Sequence, residues 1–114
     1  MTAAGFRRLA LQAPEAEENS HMGHPDFRVK GKVFATLGAP GPQWGMVKLT
    51  PRDQASYVAE KPGVFEVAKG AWGAHGATYV HLKGADRAVL KSVIMAAWCN
   101  VAPRKLVKAF FPTR

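Results

Sequence analysis

Histidines, one cysteine and a knot of cations around a glycine are the side chains of this sequence whose types could do chemistry. His21 and His24 stand close together, and with His75 and a carboxylate they could in principle hold a divalent metal. Such spacing converges ligands on a helix, but these two histidines precede Pro25 in a polar segment, where it promises no geometry. His81 lies between Val80 and Leu82 in a strand-like pattern, and a lone strand histidine is more often solvated or hydrogen-bonded than a ligand. Cys99 neighbours Trp98 in an apolar helical pattern, so packing accounts for it better than nucleophilic chemistry does. No serine sits in a GxSxG setting, and the carboxylates form no paired arrangement. The expectation is a non-catalytic protein with no metal and no cofactor.

Two glycine-containing stretches remain. GAWGAHG, residues 70–76, fits neither GxGxxG nor GxxxxGK followed by Ser or Thr, and no helix is expected directly after it to hold a phosphate. It reads as a bent loop between strands. Trp72 within it either plugs the edge of the core, the more ordinary role, or stands ready to stack on a base or ligand. HPDFRVKGKVFATL, residues 24–37, carries the sharper signal: Phe27 and Val29 alternate with Arg28 and Lys30, and Val33, Ala35 and Leu37 alternate with Phe34 and Thr36. Two strands therefore reverse through Gly31. With Phe27 and Val29 turned inward, Arg28, Lys30 and Lys32 cluster on the outside of a protruding turn. Phosphates could find them there, although lysines also flank hairpin turns simply to keep sheet ends soluble.

Composition bounds these options. The 114 residues are 47% hydrophobic and 21% charged, enough for one small domain with a single core. A lone cysteine excludes an internal disulfide and a cysteine-based zinc site, and suits a reducing compartment. The opening MTAAGFRRLALQAPEAEE interrupts its apolar run with arginines and follows it with glutamates, which is neither a signal peptide nor a membrane span. A cytoplasmic protein with no membrane partner, and a monomer, is the expectation. The formal charge of +8 is uneven: from residue 83 onward Lys83, Arg87, Lys91, Arg104, Lys105, Lys108 and Arg114 stand against Asp86 alone. Such a balance suits a polyanionic partner.

The elements that must position these groups follow from periodicity and punctuation. Phe6, Leu9 and Ala10 share a helical face over residues 3–12, and Pro14 ends it. EAEENSHMGHP, residues 15–25, lacks apolar periodicity and is expected to be a connecting loop. After the hairpin, GAPGP turns the chain into QWGMVKLT, a strand with Trp44, Met46, Lys48 and Thr50 on one face and Val47 and Leu49 on the other. Thr50, Pro51 and Asp53 mark the start of a helix running to about Glu60, and Lys61-Pro62-Gly63 breaks it. Strands are expected at residues 64–68 and 77–83. Asp86 then caps a long helix with Val89, Leu90, Val93, Ile94, Ala97, Trp98 and Val101 on its apolar side, and a short helix closes residues 104–110.

The ordered set GHPDFRV, KGK, FATL, KLTP, the WGAHGAT loop and the closing AAWCNVAPRKL resembles the MmcQ/YjbR family of small bacterial proteins, from about Phe6 to Leu106. The resemblance implies an α+β domain of CyaY-like kind, an antiparallel sheet of about five strands with helices packed on one face. It also implies a DNA-binding role through a double-wing motif, a label that itself rests on fold. Carried onto this sequence, the first wing would hold Arg28, Lys30 and Lys32, and the second Lys69, Trp72 and His75; the basic C-terminal charge, apart from the resemblance, adds Arg104 and Lys105 as expected phosphate contacts. The competing expectation is an interaction module for a protein or a small acidic ligand, in which the charge serves solubility alone.

Overall fold

The structure, a computed structural model, describes residues 1–111. Among these the chain forms helix α1 (Ala3–Leu11), strands β1 (Ala16–His21), β2 (His24–Val29), β3 (Lys32–Leu37) and β4 (Trp44–Lys48), and helix α2 (Pro51–Glu60). Strand β5 (Phe65–Val67), helix α3 (Gly70–Ala74), strand β6 (Ala77–His81) and helices α4 (Arg87–Val101) and α5 (Arg104–Phe110) complete it. The strands make one antiparallel sheet in the order β1-β2-β3-β4-β6-β5. No helix of the described residues is long and apolar enough to cross a membrane.

The helical layer forms because the expected apolar faces all meet one side of the sheet. Leu90, Val93, Ile94, Ala97 and Trp98 of α4 are buried with Phe27, Phe34 and Val47 of the sheet and with Phe6 and Leu9 of α1. Gly45 lets α1 approach closely: a Cβ there would lie 2.9 Å from the Phe6 ring. The caps are the expected ones. Thr50 Oγ1 accepts from the Asp53 amide at 3.1 Å, and Asp86 Oδ1 accepts from the Val89 amide at 2.8 Å. The Trp98 indole donates to the Pro14 carbonyl at 3.0 Å and ties α4 to the chain leaving α1.

Three local expectations are corrected. Residues 15–25 are not a loop: residues 16–21 form edge strand β1, so the sheet has six strands rather than about five. Its residues are almost all exposed, so no apolar alternation marks it, and it is defined by its ladder to β2. The tight turn after it has positive φ at both Met22 and Gly23, as does the next turn at Lys30 and Gly31, the backbone a two-residue type I′ hairpin requires. Second, β3 does not alternate simply. Phe27 pairs with Ala35 while Arg28 pairs with Val33, so Phe34 is the extra residue of a bulge. Phe34 and Ala35 both enter the core, and Val33 turns to the other face.

Third, GAWGAHG is not simply a bent loop, because residues 70–74 are helix α3. Tertiary contacts hold this short turn where propensity would not. The buried Gln54 amide nitrogen of α2 lies 3.0 Å from the Gly73 carbonyl, 3.0 Å from that of Ala77 and 3.2 Å from Thr78 Oγ1. Gly73 itself packs so closely on the preceding strand that a Cβ would fall 1.7 Å from the Ala68 carbonyl oxygen. Gly73 and Gly76 mark close approach, whereas Gly70 has open space around it and a positive φ.

Candidate functional site

The face of the sheet opposite the helices is where the unassigned polar chemistry collects. Asp26, Arg28, Thr36, Met46 and Tyr79 lie on it, set there by the pairings Asp26 with Thr36, Thr36 with Met46, and Met46 with Tyr79. A small apolar cluster of Met46, Ala68 and Ala77, with Tyr79 packed against it, floors its middle. Beside that floor is a depression of about 260 Å3 lined by His21, Arg28, Lys48 and Trp72, with Val33, Thr36 and Met46 between them.

Arg28 does not wave in solvent. Its Nε donates to Asp26 Oδ1 at 2.8 Å and its Nη2 to Asp26 Oδ2 at 3.0 Å, a two-point pairing to a carboxylate with no exposed side-chain surface. His21 Nδ1 lies 2.6 Å from the same Oδ2, so β1, the strand absent from the sequence reading, supplies a third member. The Arg28 guanidinium, above all, holds the Asp26 carboxyl below its ordinary range, and burial opposes this only in part. The carboxylate in turn holds Arg28 more firmly protonated. The cluster is a fixed cation on a buried anion, open on one side.

Lys48, at the end of β4, also lines the depression and forms no ion pair among the described residues. Its carbonyl accepts from Asn100 Nδ2 at 2.9 Å, which anchors its backbone to α4. Trp72 does not plug the core: it is 66% exposed on α3. It contributes to the depression and also, with His75, Lys48 and Asn100, to a smaller hollow beside it. Further along the same face Trp44 stacks on His81 with ring centroids 4.6 Å apart and meets Tyr79 edge-on at 6.2 Å.

The residues assigned to two wings are therefore redistributed. Arg28 and Trp72, from different wings, line one depression. Lys30 leaves the group: its Nζ lies 2.6 Å from Glu15 Oε1, and that carboxylate holds it more firmly protonated. Glu18 of β1 engages Arg7 at 3.0 Å, and Glu17 pairs in register with Arg28, so the hairpin lies beside an acidic strand. Lys32 is exposed at the turn with no ion pair among the described residues. Lys69 and His75 flank α3 as its terminal residues instead of riding on a hairpin tip. Arg104 and Lys105 lie on α5, whose Phe110 packs edge-on against Trp98 of the helical layer, and neither lines the depression. Arg114 falls outside the described residues.

Sequence reasoning missed His21 and Lys48 as members of this site. The signal for Lys48 was present, since the alternation in WGMVK puts it on the same face as Trp44 and Met46. That for His21 was not, because its placement depends on β1. Among the described residues no group of three or more His, Cys, Asp or Glu converges as a metal-binding set. His24 instead lies against Gly38, where a Cβ would sit 3.0 Å from its Nδ1.

An antiparallel sheet with helices on one face and an open, partly aromatic second face defines an α+β protein of the kind the sequence suggested. The YjbR family model matches residues 11–100, and the chain belongs to that family. Among solved structures it is similar to Deinococcus radiodurans protein DR2400, which carries the family-model domain DUF419, with a TM-score of 0.73 at 16% identity. That likeness spans 94% of this chain and 78% of that one, and it is a likeness of fold. No curated protein matches this chain.

Proposed function

We propose that this protein binds nucleic acid, DNA in the first instance, without catalysing a reaction on it, and that the contact surface is the open face of the sheet with α3. The observation that carries this reading is the gathering of Arg28, Lys48, Trp72 and His21 around one depression in a chain of net charge +8. Cations supply phosphate contacts, and an exposed aromatic supplies a stacking surface, the two parts a nucleic-acid site needs. Phosphate contacts carry no sequence information, so the binding proposed is weak in sequence preference and steep in salt. A cytoplasmic setting belongs to the same proposal.

The test is fluorescence anisotropy of labelled DNA over a range of salt, with Lys48→Glu beside the unaltered protein. The expected result is affinity that falls with salt, and a loss of about tenfold with a shallower salt slope in Lys48→Glu. Absence of binding even at low salt would overturn the proposal and leave the interaction module, for a protein or a small acidic ligand, in its place.

A further inference from the structure

Trp72 is a large apolar side chain that a folded protein would ordinarily cover, yet it is 66% exposed and held in that position by buried structure. The Gln54 amide fixes the Gly73 and Ala77 carbonyls on either side of the α3 turn, and the missing side chain at Gly73 seats the helix on Ala68. The indole is thus presented on a rigid support. In the same depression Arg28 is locked by two hydrogen bonds to buried Asp26, and Lys48, which shares the smaller hollow with Trp72 as well, carries a charge that no described residue neutralises. Between them lies an apolar floor of Val33 and Met46. An aromatic side chain, apolar residues and cations around one depression make the complement of one nucleotide: base on the aromatic, phosphate on the cations.

A second aromatic on the same face, half-buried and with one ring face covered by His81, bears on the choice between duplex and single strand. Trp44, stacked on His81, sits at the opposite end of β4 from Lys48, and the strand rise separates the two by about 13 Å. Successive bases of a duplex lie about 3.4 Å apart and are closed off by their stack, so away from its two ends a duplex offers no flat face to either tryptophan. A single strand can splay its bases to reach both. The β2–β3 turn, where a duplex would be gripped by a wing, has part of its charge taken up by Glu15.

Resting on the reading above that the open face binds nucleic acid, we propose that its preferred ligand is single-stranded, with one base stacked on Trp72, its phosphate at Arg28 and Lys48, and the strand running along β4 toward Trp44. The experiment compares a labelled short oligo-dT with the same oligomer paired to oligo-dA, using unlabelled inorganic polyphosphate as competitor and Trp72→Ala and Trp72→Phe as variants. Because Trp72 is exposed, neither variant threatens the core, and circular dichroism checks this. Expected are binding of the single strand at least about tenfold tighter than of the duplex, and a loss of about five- to one-hundred-fold in Trp72→Ala that Trp72→Phe largely restores. Equal or tighter duplex binding, affinity unchanged in Trp72→Ala, or displacement by polyphosphate as effective as by oligo-dT would each overturn the single-strand proposal and leave a site for phosphate charge alone. Failure of both oligomers at low salt would take the underlying nucleic-acid reading down with it.

Discussion

The turn joining β2 to β3 and the depression beneath Trp72 hold the same kinds of residue in opposite circumstances. At the turn, Lys30 faces Glu15 and the neighbouring strand is acidic, so much of the local charge is already answered within the protein. In the depression, Arg28 is also paired, but to a buried carboxylate that fixes its direction, and Lys48 has no ion pair among the described residues. A cation counts toward binding by what else surrounds it. Counting lysines along a sequence cannot separate a solubilising charge from a receptive one, whereas the partner strand and the support beneath can.

The largest effect expected from breaking this contrast comes from Gly73→Ala. The new Cβ would collide with the Ala68 carbonyl, so α3 must leave its seat. A loss of about 2–3 kcal/mol in chemical denaturation is expected, together with loss of the Trp72-dependent part of binding. An unchanged denaturation midpoint would show that the α3 seat is not tight.

Removing the anchor under Arg28 comes next. Asp26→Asn keeps the shape of the side chain but deletes the charge, at a cost of about 1–3 kcal/mol at neutral pH. The pH dependence gives the sharper reading. The folded carboxyl sits below its unfolded value of 3.8, so the ion pair contributes fully above that value, and the contribution is lost as pH falls through the lower folded one. Denaturation midpoints of the two proteins should therefore differ most above about pH 4 and converge in stronger acid. A constant gap into strong acid would mean that the charge of Asp26 does not matter.

The smallest effect is expected at the turn. Lys30→Glu together with Lys32→Glu should change DNA affinity by less than about threefold at moderate salt, well short of Lys48→Glu alone, since exposed pairs contribute little. A larger loss from the turn than from Lys48 would reverse the comparison and restore the hairpin as the point of contact.

How much of this was legible in the sequence differs from element to element for physical reasons. Helix α4 announced itself because its buried residues recur at helical spacing, and α2 because Thr50 and Pro51 mark its start. The alternation in β4 placed Trp44, Met46 and Lys48 correctly on one face. Strand β1 was hidden because an exposed edge strand buries almost nothing and so leaves no apolar pattern. Helix α3 was hidden because its glycines weaken helix propensity, and the hydrogen bond that holds it comes from Gln54, distant in the sequence. The first gap cost the site His21, which rides on β1, while Trp72 was named from the sequence without the helix that carries it.

The acidic strand that quiets the β2–β3 turn has a second consequence. A sheet ends in two rows of unpaired backbone groups, each a template on which another molecule could add a strand. Here β1 guards one margin with Glu17 and Glu18, and at the other margin β5 is only three residues long and carries Glu66. Neither border offers a long, neutral ribbon for extension. The glutamates that answer part of the charge near the turn thus belong to a border poorly suited to strand addition.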